Sequence, residues 1–501
     1  MTAGIIQLAG KGKEDIFLTY NPQITFFKIK YKKHTNFAKE QIQQTFLTQA
    51  NFNKRVTCNI GKLGDLIGQI FIVVTLPEIN IINSDIKFAW IKRVGFSLIK
   101  SVEIEINNQL IDVHYSEWLN VLCELTGDII EDHKRGFEKM IGNVNELTDF
   151  TKIKNQYTLY IPLYFWFCKN QYLPLVSLEY CNVNINVEFE TFEKLYIQTP
   201  THSLKCRDDI VSFTPNEYIE QKINNTIRAG IFVKYDINTK RLYYIKLTND
   251  KLIGLPNISL DIYDTTEKIN TYLETPDALK YLIIGQSSQY SSYGDFNEQS
   301  ITEPIYTIQN ANLTQCYLLI DYYYLESEER QKFIDTKHTY LIEQLYYTEA
   351  VIDTQTDKLK IDVDNMCKYL IWTTQLVSNI NTKDYLNYTN SYNKELNNKN
   401  IITEKLTLNS IDVGLINTEI QIYKYINRTI SNGIHMYSFS NNIFNFQPSG
   451  ELNMSLFNNI ELHLYLASNI NTLNQIIFRC YCTSYNILCI ANGLLGLYFI
   501  K

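Results

Sequence analysis

The chain has 501 residues, too many for one ordinary core, so two or three domains are expected, each large enough to bury a well-packed interior. Its 46 Lys and Arg stand against 53 Asp and Glu, a net charge of -7, which leaves no global basic field for phosphates and argues against direct nucleic-acid binding. Aromatic residues make up 13% of the chain and Tyr alone numbers 37, a usage that favours pleated strands and predicts a mostly β protein. The 10 cysteines are scattered, with one close spacing at Cys480-x-Cys482 and no CxxC or zinc-ligand pattern, so they are expected as buried small hydrophobes in a reducing cytoplasm. His34, His114, His133, His202, His338, His435 and His463 are dispersed with no H-x-H pair, which argues against a metal-dependent oxygenase or isomerase; no cofactor is expected.

Glu14 to Lys39 organises the amino-terminal end. It opens on Ile16, Phe17 and Leu18, breaks at Asn21-Pro22, resumes as Thr25-Phe26-Phe27-Lys28 and closes on the basic and aromatic run Lys30 to Phe37, which includes His34 and Asn36. Pro22 lacks a backbone donor and biases Asn21 away from the helical region, so an extended arm over residues 1–24 is predicted to turn there and enter a sheet at Thr25. Lys28 to Lys33 fits the solvated edge of that strand, because edge lysines discourage wrong pairing. Met1 to Asp15 is too interrupted for a secretion signal.

Asp65 to Pro77 is a β-branched run stopped by proline, the pattern of a strand buried on both faces. Val102, Ile104 and Ile106 alternate with Glu103, Glu105 and Asn107, and Asn107-Asn108 tolerates positive φ, so a hairpin is predicted through Val113. His114 follows with no acid and nucleophile at a recognisable spacing and is given a structural role. Tyr157 to Phe189 is the clearest strand text: Cys181, Val183, Ile185, Val187 and Phe189 share one face, with Asn182, Asn184, Asn186 and Glu188 on the other. From about 199 to 311 short strand-like pieces alternate with polar stretches such as Gly285 to Gly294, and a long surface insertion between strands is expected.

A strong strand through Leu325, containing Asp321, gives way to a short linker helix in which Glu328 and Glu329 precede Arg330 and Lys332, as the helix dipole favours. Lys368 to Leu376 reads as a strand, and the Asn- and Lys-rich Asn379 to Asn400 as a long exposed loop with little to bury. Ile434 to Phe439 is a strand, Phe446 to Gly450 with Pro448 a turn, and Leu452 to Phe457 and Ile460 to Leu466 further strands. Thr483 to Ile500 approaches the length of a membrane span, but Ser484, Asn486, Asn492, Gly493 and Gly496 make two strands around a turn the better reading.

Taken in order, these segments resemble the major capsid proteins of nucleocytoplasmic large DNA viruses. The resemblance rests on Leu18 to Glu40, preceded by Gly4 and Gln7-Leu8, on His114 to Leu119 with Trp118, and on Ile161 to Phe167 with Leu173 to Leu175. It continues in the acidic-arginine run with Tyr340 to Gln344, in Gly433 to Asn453, and in Tyr485 to Leu488 with Gly493 and Gly496. It implies an all-β fold of two tandem eight-stranded antiparallel jelly rolls with long loop insertions and a short linker helix. The implied division is an arm at 1–24, a first jelly roll at 25–325 with its insertion at about 199–311, a linker at 326–340 and a second jelly roll at 341–501. Its structural motif residues are Asn21, Pro22, Phe27, Lys28, His34, Asn36, Phe37, Trp118, Pro162, Trp166, Pro174, Asp321, Glu329, Arg330, Pro448, Gly450, Asn486 and Gly496, with no catalytic, cofactor or metal set. Two positions depart: Leu456 and Cys489 stand where the family usually carries arginine, which questions any inter-subunit charge contact there.

The implied function is structural. Three chains would form a pseudo-hexagonal capsomer that tiles the shell of a large icosahedral virus, after assembly in the host cytoplasm. Expected partners are copies of the same chain, neighbouring capsomers, minor capsid proteins and, through the arm, an inner membrane. The alternative is a minor capsid or glycan-binding attachment protein of the same fold, using loops such as Tyr290 to Tyr293 on host glycans. Sequons at Asn224, Asn257, Asn312, Asn387, Asn427 and Asn453 are expected to be little used.

Overall fold

The computed structural model describes residues 2–29, 31–81, 86–126, 134–169, 171–207, 211–223, 226–248, 251–253, 281–294, 299–301, 311–392, 398–415, 422, 424–425 and 433–499. Its frame is two sets of eight strands. The first comprises β1 (Phe37–Thr45), β2 (Arg55–Asn59), β3 (Leu66–Leu76), β4 (Ile99–Ile106), β5 (Gln109–Tyr115), β6 (Tyr157–Pro162), β7 (Val183–Phe189) and β8 (Gln315–Leu325). They pair antiparallel as β1-β8-β3-β6 and β2-β7-β4-β5, two sheets enclosing one core.

The second set repeats that order: β9 (His338–Ile352), β10 (Thr356–Lys360), β11 (Met366–Leu376), β12 (Ile401–Leu408), β13 (Ile411–Leu415), β14 (Ile434–Ser438), β15 (Ile460–Leu466) and β16 (Ile476–Ala491). These pair as β9-β16-β11-β14 and β10-β15-β12-β13 around a second core that includes Trp372, Leu406, Met454 and Phe478. Each half is thus an eight-stranded jelly roll.

Local sequence explains much of this. In β3 all residues except Gln69 and Phe71 are fully buried, as a run apolar on both faces requires. The β4–β5 hairpin turns on Asn107 (φ 52) and Asn108 (φ 62), both in the left-handed region that a two-residue turn demands. Asn492 (φ 54) and Gly493 (φ 78) likewise turn β16 back into the short strand Leu494–Leu497. Among the described residues no helix is long and apolar enough to cross a membrane.

Six expectations are corrected. The arm carries short helices at Ala3–Ala9 and Ile16–Thr19, and Asn21 takes φ 51 rather than an extended conformation. Thr25 to Lys28 forms no strand: sheet pairing begins at Phe37, and Phe27 is 98% exposed, because no neighbouring strand is present there to take its backbone hydrogen bonds. The described residues of Lys28 to Lys33 therefore lie on the arm and edge no strand.

The insertion is more than loop. Described residues within it form a seven-stranded antiparallel sheet in the order Ser291–Tyr293, Leu282–Gly285, Tyr218–Ile223, Thr226–Asp236, Arg241–Lys246, His202–Lys205 and Gln299–Ser300. A small core of Leu204, Phe213, Ile219, Phe232, Leu242, Tyr244 and Ile283 stabilises it. Asn379 to Asn400 is not exposed as a whole: Asn379, Asn387, Thr389 and Asn400 are buried. Their amides take over the work of a sheet, Asn379 Nδ2 donating to the carbonyls of Asn387, Thr389 and Ser391, and Asn400 Nδ2 to those of Thr374 and Tyr388. Leu452 to Phe457 pairs only at Leu452–Asn453 before a single 3-10 turn, Met454–Leu456.

Candidate assembly surfaces

The rigidity of this molecule depends on how its two barrels are joined. The two barrels meet along a seam seeded at the end of β5, where the helix Ser116–Thr126 begins. Trp118, Val121, Leu122 and Leu125 on that helix pack against Tyr369, Ile371, Met436 and Tyr481 of the second barrel, with the Trp118 and Tyr481 rings 5.2 Å apart. Beside them the Glu117 carboxylate accepts hydrogen bonds from Thr373 Oγ1 and the Arg479 guanidinium, whose Nε donates to Glu349 at 2.8 Å. Burial alone would weaken the charge on Arg479, but Glu117, then Tyr481 and Glu349, hold it firmly cationic.

Backbone contacts reinforce the seam. Asp112 Oδ1 accepts from the Leu345 amide at 2.9 Å, and Gln344 Nε2 donates to the Ile111 carbonyl. His114 sits here with Nε2 3.1 Å from Asp112 and its ring stacked on Phe165 at 4.8 Å, a buried packing position. Asn486 joins Gln344 Oε1 at 2.7 Å and clips the carboxy-terminal segment through both backbone groups of Phe499.

The linker is the second joint. The helix Ser327–Asp335 buries none of its own residues, so its position depends on polar contacts. Arg330 Nε donates to Asp65 Oδ1 at 2.9 Å, Asp65 Oδ2 accepts the Leu325 amide at 2.8 Å, and Ser177 Oγ donates to the Phe333 carbonyl at 2.6 Å. Glu329 lies half-buried beside them. Asn36 Nδ2 donates to Glu326 at 3.1 Å and Phe37 packs near Tyr323, so the arm leaves the block next to this joint. Asp321 on β8 is buried and pairs with Lys39 on β1 at 2.7 Å, a hydrogen bond that raises the lysine pKa.

The other motif positions are dispersed. Asn21, Pro22, Phe27, Lys28 and His34 lie on the exposed arm. Pro162 ends β6 opposite Phe71, Pro174 pairs with Leu66, and Trp166 belongs to a 3-10 turn against Phe167. Pro448 is exposed, whereas Gly450 takes φ 137 with the Phe439 carbonyl where a Cβ would come within 2.7 Å. Gly496 has open space around it; the glycine that the last turn requires is Gly493, at φ 78.

The insertion reaches the second barrel. Tyr392 Oη donates to Glu220 at 2.8 Å and accepts from Gln286 Nε2 at 2.7 Å, and just before the insertion the Tyr196 carbonyl accepts from Lys383 Nζ at 2.8 Å. At its far end Glu217 is buried and accepts from the amides of Ser287 and Ser288 and from Ser288 Oγ, closing the hairpin of Leu282–Gly285 and Ser291–Tyr293. Burial would raise its pKa, but these donors hold the carboxyl below its usual range. The arm is the opposite kind of surface: Phe17, Leu18, Phe26, Phe27 and Ile29 are each at least 90% exposed. Among the described residues no three His, Cys, Asp or Glu side chains gather as a metal site.

Sequence reasoning did not single out Glu117, Arg479, Asp112 or Gln344. The legible signal was Arg479 itself, a cation inside an apolar strand, which demands a carboxylate partner.

Comparison with known proteins bears on the block as a whole. Residues 25–236 match the family described as major capsid protein N-terminus, and residues 329–496 that described as large eukaryotic DNA virus major capsid protein. A probable capsid protein 4 of Acanthamoeba polyphaga mimivirus is 36% identical over 100% of this chain and 99% of its own length. The major capsid protein of Phaeocystis pouchetii virus is 25% identical over 99% of each chain. The Faustovirus major capsid protein shares the fold with a TM-score of 0.64 at 12% identity, covering 97% of this chain and 96% of that one.

Proposed function

The chain belongs to the major capsid proteins of large eukaryotic DNA viruses, and from that membership we propose that three copies close into one pseudo-hexagonal capsomer whose neighbours tile an icosahedral shell. Its role is structural, as a component of the virion capsid. The observation that carries the trimer is one strand order repeated in two complete barrels and locked across a buried seam. A chain with two such blocks needs only threefold symmetry to present six, and a closed head-to-tail ring uses one pair of unlike surfaces three times. Each contact needs to bury roughly 1,000 Å² or more to be stable.

In this reading the exposed apolar and basic arm lies at the inner base and meets minor capsid proteins or an internal membrane, and the insertion faces outward. Assembly takes place in the host cytoplasm. Light scattering on the purified protein is expected to give the mass of three chains; a strict monomer across micromolar concentrations would overturn the capsomer. Proteolysis of assembled particles is expected to cut the insertion and spare the arm, and the reverse pattern would invert the two faces. A glycan-binding attachment role is not favoured: the matched relatives are named as capsid proteins, and Tyr290 packs edge-on against Phe213 at 5.1 Å inside the insertion.

A further inference from the structure

The second barrel keeps three cysteines in its core, Cys367 on β11 and Cys480 and Cys482 on the neighbouring β16. None of the ten cysteines of the chain is in a disulfide in this structure. Two of the three stand apart in their geometry. Cys367 lies opposite Ser484 and Cys482 opposite Leu370, and between them the register slips, with Lys368 as the extra residue. Such a bulge bends its strand and re-aims the side chains beside it. The result is a diagonal pair on one face with Sγ atoms 3.0 Å apart, both residues at most 1% exposed. A disulfide bond is about 2.05 Å long, so the sulfurs need to approach by only roughly 1 Å. Cys480 lies opposite Trp372 instead.

We propose that Cys367 and Cys482 are a disulfide-forming pair, oxidised when the chain folds in the presence of a small disulfide such as oxidised glutathione, and that the bond staples the last of the eight barrel strands, β16, into its sheet. The exchange balances. One cysteine thiolate attacks the glutathione disulfide and releases a glutathione thiol, and the second attacks the mixed disulfide and releases another. Two protein thiols and one glutathione disulfide become one protein disulfide and two glutathione thiols, the cysteine protons passing to the leaving thiolates.

Timing follows from burial. Cys367 has no access to solvent and burial raises its thiol pKa well above the ordinary value, so a folded, reduced barrel is inert to exchange. The bond has to form while β16 is docking onto β11. It would then join residues 115 apart in sequence and make extraction of β16 the slow step of unfolding.

The test uses the full chain made by cell-free synthesis in a glutathione buffer set either reducing or oxidising, followed by denaturation, thiol alkylation and intact-mass measurement. Under oxidising conditions two of the ten thiols are expected to escape alkylation, with a single linked peptide pair containing Cys367 and Cys482, and reduction is expected to restore ten. Cys480→Ala is expected to keep the link and Cys482→Ala to abolish it. Folded protein with ten alkylated thiols under oxidising synthesis, or a link between any other pair, would overturn the proposal. Folding in each sample is checked by circular dichroism, and the wild-type result alone decides if either variant fails to fold.

Discussion

Arg479 shows how a single residue sets the rigidity of the block. Its guanidinium lies between Glu117 of the first barrel and Glu349 of the second, with its side chain only 16% exposed. Removing the cation leaves the Glu117 carboxylate, its side chain only 14% exposed, with Thr373 as its remaining donor and no balancing charge, a loss of up to about 3–5 kcal/mol in comparable sites. Arg479→Ala is therefore expected to lower the melting temperature sharply, whereas Arg479→Lys recovers part of the loss; equal melting of all three proteins would refute the seam's electrostatic role. Glu217 gives the residue-scale pH response. Its folded pKa lies below the unfolded value of about 4.3, so its contribution is complete above that value and is lost as pH falls through the folded one. Melting followed from about pH 6 to pH 3 is expected to show an acid-side decline that Glu217→Gln reduces, because the amide cannot lose a charge and accepts fewer of the Ser287 and Ser288 donors.

Elements divide into those whose sequence carries their own structure and those held by distant partners. The loop after β11 depends on Asn400, whose amide satisfies the carbonyls of Thr374 and Tyr388 at 2.9 Å each. Asn400→Ala strands both, and denaturant unfolding is expected to show a loss of about 1–3 kcal/mol; a change near zero would mean that water replaces the amide. That loop was unreadable in sequence because asparagine serves solvated chain and buried scaffold alike, and only the position of its carbonyl partners distinguishes them. Strands β3 and β7, the Asn107-Asn108 hairpin, the linker helix around Arg330 and the turn before Leu494 were legible, since each is specified by periodicity, turn chemistry or charge order within a few residues. The insertion's sheet was only half legible: its short strands are visible one by one, but the core that joins Phe213 to Ile283 is formed by residues far apart in sequence. Thr25 to Lys28 misled for the converse reason, having the composition of a strand with no neighbour to pair with. Of the motif positions, Trp118, Arg330 and Asn486 fall on the joints between barrels, while Glu117, the partner that Arg479 demands, became recognisable only once β16 was set beside the helix after β5.

For the whole molecule, the arm and the two barrels separate cleanly in their energetics. No described residue of the arm through Asn36 is buried, so deleting residues 1–33 is expected to leave melting unchanged while weakening whatever the arm grips in the particle. A large drop in melting temperature would show that the arm belongs to the fold. Strand order also dictates when each barrel can close during synthesis. β8 lies between β1 and β3, and β16 between β9 and β11, so in both halves the last of the eight barrel strands to leave the ribosome is an interior one. Until Gln315 to Leu325 emerges, the nascent first half holds two strands with a vacant slot between them, while the long insertion is still being made. Such open edges invite pairing with other nascent chains on the same message. A premature stop anywhere before Ile476 would leave the carboxy-terminal half with its slot permanently empty and the seam without Arg479 and Tyr481, so an incomplete chain can close neither the second barrel nor the joint to the first.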